Sequence, residues 1–157
     1  MIKIDKQFTA GYLKLAAISE RKRINHNFHK EMSDTLQRML NVMNTNTYVQ
    51  PHKHEKPDKR EVFIILVGKV LVVEFNDSGK ITGHIVLSKD SGNYACEIAP
   101  GSWHTIICLE NNTVVYELKD GPYVQETDKQ FAPWAPVEGD SGCESYTMGL
   151  IKKCNVG

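Results

Sequence analysis

The sequence predicts an all-β fold with short flanking helices, its strands rolled into a double-sheet sandwich or a closed antiparallel barrel. Two observations point there. Roughly seven or eight short runs rich in β-branched and aromatic residues recur between residues 37 and 119, each bounded by polar turn residues. Helical periodicity, by contrast, is confined to the two ends of the chain. A length of 157 residues suits one domain with a substantial core. It divides into an amino-terminal helix and edge segment (1–44), a barrel core (45–120) and an irregular carboxy-terminal arm (121–157).

From Asp5 to Ile18 the residues Phe8, Tyr12, Leu15, Ala16 and Ile18 recur near helical spacing, and Asp5 can cap the first turn. Gly11 weakens this helix by about 1 kcal/mol relative to alanine. The cluster RKRINHNFH at 21–29 reads in one of two ways. It is either a solvated turn between helix and sheet, or a segment whose Arg23 and Asn25 reach a cavity and bind an anionic ligand, a role suited to planar arginine donors. Gln37 to Met43 reads as a strand, with Arg38, Leu40 and Val42 on one face and Gln37, Met39, Asn41 and Met43 on the other. An inward Arg38 would be a buried cation and a ligand clamp.

Thr45 to His54 reads as extended, and the period of two puts Tyr48, Gln50, His52 and His54 on one face. Glu61 to Val67 reads as the returning strand of a hairpin, being β-branched and aromatic, which sets Glu61 opposite the histidines. Val70–Phe75 and Ile81–Ser88 flank the turn Asn76-Asp77-Ser78-Gly79. Tyr94–Ile98 and Trp103–Leu109 flank a Pro100-Gly101 turn, and Thr113–Lys119 is the last clear strand. His84 is expected to be exposed or simply hydrogen-bonded. Beyond Asp120, Gly121, Pro122, Pro133 and Pro136 exclude a central strand or a long helix. They predict an arm over the barrel mouth or a neighbouring subunit, anchored by Phe131 and Trp134, with a short helix at Met148–Ile151.

His52 and His54 on one strand, Glu61 on the next and His104 after the Pro-Gly turn bring imidazoles and a carboxylate together. Zinc and first-row transition metals take such donors. Glu55 competes with Glu61 for the carboxylate role. His26 and His29 lack the paired spacing and stay outside the set.

This HxH, later Glu, Gly and PGxxH pattern resembles the two cupin motifs, with departures, and by that resemblance Gly68, seven residues beyond Glu61, favours Glu61 over Glu55. Six residues, Glu55 to Arg60, separate the second histidine from the glutamate, which implies a longer hairpin loop. Asn46 stands in place of a glycine, asparagine being the other residue best able to hold a left-handed conformation. Pro100 is displaced by one place, and Cys108 replaces an asparagine. RKRINHNFH at 21–29, QRMLN at 37–41, TYVQPHKHEKPDKRE at 47–61, PGSWHT at 100–105 and KDGPYVQETDKQFAPWAPVEG at 119–139 together resemble the WbuC family of cupin-fold metalloproteins. The resemblance runs from near the beginning of the chain to near its end. It implies a cupin-type double-stranded β-helix, or jelly-roll barrel, holding an exposed divalent metal, encoded in bacteria near surface-polysaccharide genes. It also implies a homodimer.

Three neutral imidazoles and one carboxylate leave a divalent ion (Fe, Mn, Zn, Ni or Co) with residual charge and open positions. Such a site predicts a metal-dependent enzyme that isomerises or epimerises a small oxygen-rich ligand, a sugar or nucleotide sugar. Tyr48, Lys59, Glu117 and Tyr123 are its candidate acid–base groups, and Arg23, Asn25 and Arg38 its candidate ligand-binding groups. Iron-dependent oxygen chemistry, a non-catalytic binding module and a purely structural metal are the alternatives. Nineteen basic and nineteen acidic residues cancel, which gives no overall field to steer the chain onto nucleic acid or anionic lipid. No run approaches the roughly 20 apolar residues of a membrane span, and Met1–Lys6 lacks the apolar core of an export signal. A cytoplasmic protein is expected, with Cys96, Cys108, Cys143 and Cys154 as free thiols.

Overall fold

The computed structural model describes residues 1–156. Helix α1 (Lys6–Ile18) precedes strands β1 (Arg23–Asn27), β2 (Leu36–Met43), β3 (His52–Lys53), β4 (Glu61–Val67), β5 (Lys69–Phe75), β6 (Ile81–Ser88), β7 (Ala95–Ile98), β8 (Trp103–Cys108), β9 (Thr113–Asp120) and β10 (Gln130–Phe131), and helix α2 (Cys143–Lys153) ends the fold. The strands form two five-stranded antiparallel sheets, ordered β1-β2-β9-β4-β7 and β10-β3-β8-β5-β6. The two sheets make a double-sheet jelly roll.

Why the strands lack clean polar alternation follows from what covers them. Between the sheets, Met43, Phe63, Val70, Val72, Ile106 and Val115 belong to one buried cluster. The intervening Leu71 and Val73 of β5 point the other way, into a second cluster with Trp103, Ile107, Ala132 and Leu150 beneath the arm and α2. On β2, Leu40 and Val42 pack with Val114 under Ala16 of α1. Strands covered on both faces need no solvent-facing polar residues, so their sequences read as continuous apolar runs. Asp5 caps α1, its carboxylate accepting from the Phe8 amide at 3.0 Å. Neither helix is long and apolar enough to cross a membrane, and the four cysteines are free thiols.

Several expectations are corrected. Thr45–His54 is not one strand: only His52–Lys53 pairs, because Asn46 turns the chain at φ 66°. The 21–29 cluster contains a true strand, β1, paired along β2. Glu61 does not return beside the histidines in a hairpin, since β4 pairs with β7 and β9 in the opposite sheet. The short helix expected at 148–151 extends over Cys143–Lys153, with Glu144 in its first turn and Lys152 and Lys153 in its last, the charge order the helix dipole favours. The arm contributes an edge strand, β10, which pairs with β3.

Gly68, between β4 and β5, is held at φ +77°, where a Cβ would lie 2.3 Å from Thr113 Oγ1. The left-handed backbone and the contact act together, so Gly68→Ala is expected to destabilise the barrel by about 2 kcal/mol or more. Urea denaturation checks this, and an unchanged midpoint would contradict it.

Candidate metal centre

Inward-facing positions on three strands build the site. Glu61, Phe63 and Ile65 share the buried face of β4, so the carboxylate that opens this strand lies on the same inner face as its apolar neighbours. From the other sheet, His52 on β3 is in register with His104 on β8, and His54 follows two residues after His52 on the same side. His52, His54, Glu61 and His104 are all buried, and one ligand atom from each lies within 4.8 Å of the others. Ligands at about 2.0–2.2 Å from one ion are separated by at most about 4.4 Å, so a contraction of a few tenths of an ångström suffices.

Hydrogen bonding at the histidines tests the fit of a metal. Nδ1 of His52 donates to the Gln50 carbonyl at 2.9 Å, Nδ1 of His104 to the Ser102 carbonyl at 2.9 Å, and Nδ1 of His54 to the Asp128 carbonyl. A carbonyl can only accept, so each neutral ring keeps its proton on Nδ1 and turns the bare Nε2 inward. Yet Nε2 of His54 lies 3.0 Å from Glu61 Oε1, and Nε2 of His104 lies 2.7 Å from Glu61 Oε2. Two acceptors facing each other at that distance require positive charge between them, either protons on Nε2 or a cation. The donor set therefore fits a divalent ion. Burial first, then the charge of Lys129, holds His52 well below the usual histidine range, leaving it a neutral ligand. Burial opposes ionisation of Glu61, but the close approach of His104 and His54 keeps it well below the usual carboxylate range.

The centre opens on a cavity of about 680 Å³ lined by His52, Glu61 and His104, by Asn25, Asn41 and Gln125, and by Glu117, Tyr123, Lys129 and Phe131. Glu117 lies on β9 and accepts from Asn41 Nδ2. Burial, then the Glu61 charge, raises its pKa to about 7. The sign follows directly. With a folded pKa above the ordinary 4.5, Glu117 contributes stability that is fully present below about pH 4.5 and lost as pH rises through about 7. In metal-free protein, Glu117→Gln is expected to raise stability by about 2–3 kcal/mol at pH 8 and to change it little at pH 4.5. Urea midpoints at the two pH values check this, and equal effects at both would contradict it.

The remaining sequence candidates divide by position. Arg23 lines the cavity but is engaged, bonding the Tyr48 carbonyl at 2.7 Å and Glu138 at 2.8 Å. Asn25 lines it and donates to Asn27. Arg38 does not line it. Its guanidinium pairs with Asp34 at 3.3 Å, because the opposite face of β2, with Met39 and Asn41, forms the cavity wall. Tyr48 donates to the Pro136 carbonyl at 2.7 Å and is not among the lining residues. Glu55 is exposed and pairs with Lys53, leaving the carboxylate position to Glu61. Of the expected anchors, Trp134 packs on Phe75 and Trp103, whereas Phe131 is half exposed and lies beside His52.

Lys59 has a different place from the one its sequence suggested. Its ammonium is buried and bonded to the Pro122 carbonyl at 2.6 Å and to Asp128 at 2.7 Å. Lys119 bonds the other Asp128 oxygen at 2.7 Å. Burial pushes the Lys119 pKa down, but Glu61, Glu117 and Asp128 outweigh it and the net shift is upward. Burial raises Asp128, and the two lysines more than reverse that. Asp128 thus clamps the six-residue insert to β9 while its carbonyl orients His54. Neither Asp128 nor Lys129 was singled out from sequence. The only signal was a charged pair inside an aromatic, proline-rich arm.

Comparison with known proteins follows this geometry. Solved structures similar to the chain include KdgF from Halomonas sp., at 15% identity and TM-score 0.52, covering 69% of this chain and 87% of that one. The capsular polysaccharide assembling protein CapF from Staphylococcus aureus is similar at 20% identity and TM-score 0.59, over 73% of this chain but only 30% of CapF. L-ribose isomerase from Cellulomonas parahominis is similar at 13% identity and TM-score 0.53, over 72% and 70% of the two chains. These likenesses establish a cupin-type jelly-roll fold. No curated protein matches the chain. A family profile described as a domain of unknown function, DUF6016, matches residues 4–87. That span is just over half of the chain and includes β1 to β5, nearly all of β6 and three of the four converging side chains, and the chain belongs to the DUF6016 family.

Proposed function

We propose that this protein holds a divalent transition metal on His52, His54, Glu61 and His104, and isomerises or epimerises a small oxygen-rich ligand, a sugar or nucleotide sugar. The observation that carries the reading is the convergence of these four buried side chains, three of them, His52, Glu61 and His104, on the wall of a cavity of about 680 Å³, within the range of small-molecule sites. A bound divalent ion supplies Lewis acidity to a carbonyl or hydroxyl oxygen. The chain supplies the proton transfer. Glu117, a buried carboxyl on the wall of the same cavity, accepts a proton from the ligand and returns it. Asn41 orients that carboxyl, and Asn25, Gln125 and Tyr123 offer hydrogen bonds to hydroxyl groups. Tyr48 and Lys59 act as holding groups, since both are satisfied by the protein.

A sugar-related ligand is supported by the fold-level likeness to L-ribose isomerase and to a capsular polysaccharide assembling protein. The resemblance to WbuC cupins supports a role in bacterial surface-polysaccharide metabolism, the pairing common among cupins supports a homodimer, and the four free thiols support a cytoplasmic location. Metal-loaded protein incubated with a panel of sugars and nucleotide sugars, followed by NMR, is expected to yield an isomer of one of them. Glu117→Gln should lower that rate by about 10²–10⁴-fold with the ligand still bound. Binding without product would make the protein a carrier or sensor, and neither binding nor product would contradict both readings.

A further inference from the structure

The arm that borders the cavity carries a cation of its own. Lys129 follows Asp128, which is clamped by Lys59 and Lys119 and accepts from His54. It precedes Gln130 and Phe131, which pair with Lys53 and His52. The backbone on both sides of Lys129 is therefore tied to the strand that bears two of the converging histidines. Lys129 and Phe131 line the cavity while Gln130 does not, as strand alternation requires. Lys129 is an exposed residue whose side chain borders the cavity. Its side chain is thus solvent-accessible and stands at the wall of the cavity.

Every other ammonium or guanidinium lining this cavity is committed. Arg21 and Arg23 share Glu138, and Lys119 bonds Asp128. Lys129 makes no ion pair or side-chain hydrogen bond among the described residues, though its charge is felt at His52, Glu61 and Glu117. An accessible ammonium with no partner in the wall is free to make a charge-assisted hydrogen bond to an anion in the cavity. The surrounding wall is rich in groups that hydrogen-bond hydroxyls: Asn25, Asn41, Gln37, Gln125 and Tyr123.

Building on the metal-site reading above, we propose that Lys129 is the anion-binding residue of this cavity and that its ligand is a hydroxylated anion, a sugar bearing a carboxylate or a phosphate. The charged group pairs with the Lys129 ammonium, and the hydroxyls meet the amide-lined wall. This assigns the anion to the arm, where the free cation lies, instead of to Arg23 or Arg38, whose guanidinium groups already have carboxylate partners.

Calorimetric titration tests it with D-glucuronate, D-glucose 6-phosphate and D-glucose at fixed ionic strength, on the full chain both metal-loaded and chelator-stripped. At least one anionic sugar is expected to bind tenfold or more tightly than glucose, and comparison of the two identifies carboxylate or phosphate. Lys129→Met should remove that preference, Lys129→Arg should restore most of it, and bound metal per chain should be the same in all three proteins. Anionic sugars that bind Lys129→Met as they bind wild type would overturn the assignment, as would failure of both to outbind glucose. If stripping the metal abolishes the preference while Lys129→Met keeps it, the metal holds the anion and the assignment is again wrong. Should wild type take up no metal, the metal-site reading fails separately, because the lysine dependence is still read on the stripped protein.

Discussion

Glu61→Gln is expected to lower the affinity for a divalent metal by about 100-fold or more while leaving the barrel folded. Changes beside metal ligands already cost about 10–100-fold, and Glu61 is the one anion in the converging set. Its two oxygens face Nε2 of His54 and Nε2 of His104, so it neutralises the centre from the sheet opposite the histidines. Glutamine keeps the volume and removes the charge. It also relieves the confrontation of acceptors in the metal-free protein, because its amide can donate to a bare Nε2. The variant should thus bind metal poorly and melt no lower than the stripped wild type. Competition with a chromophoric chelator measures the affinity. A wild-type value would mean that the carboxylate takes no part in holding the ion.

The second large effect lies one layer out. Asp128→Ala leaves the ammonium groups of Lys59 and Lys119 without their shared carboxylate, and all three side chains are at least 95% buried. Removing one partner of a buried ion pair costs about 3–5 kcal/mol, which for a chain of this size lowers the melting temperature by about 10 °C. The arm carries the Asp128 carbonyl that orients His54, so metal affinity should fall as well. A loss below about 1 kcal/mol would mean that the two lysines relax to solvent and that the clamp contributes little. Thermal and urea melts of the metal-free variant and wild type decide between these outcomes.

Much of the centre was legible in the sequence because strand geometry repeats every two residues. The HxH pair had to share a face, and the Pro100-Gly101 turn set His104 at the start of a strand. What period alone does not specify is the partner of a strand. Glu61 faces inward as its alternation with Phe63 and Ile65 requires, but the hairpin expected with the histidine strand does not form. The six-residue insert instead carries Lys59 to Asp128 and Arg60 to Asp120, bonded at 2.7 and 2.8 Å, which delivers β4 to the other sheet. Arg38 was ambiguous for a related reason. Both faces of β2 are covered, one by α1 and one by the cavity, so no polar face announces which way is out. The arm was the least legible part, because β10 is two residues long and its position depends on an ion-paired clamp between residues 59, 119 and 128.

The central claim is that the four side chains hold one ion, and elemental analysis of protein purified without any metal-affinity column tests it most directly. About one divalent transition metal per chain is the expected result, lost on prolonged chelation and regained on titration with a single equivalent. Protein that contains only traces of such metals, and takes up none when iron, manganese, zinc, nickel or cobalt is supplied, would contradict the account.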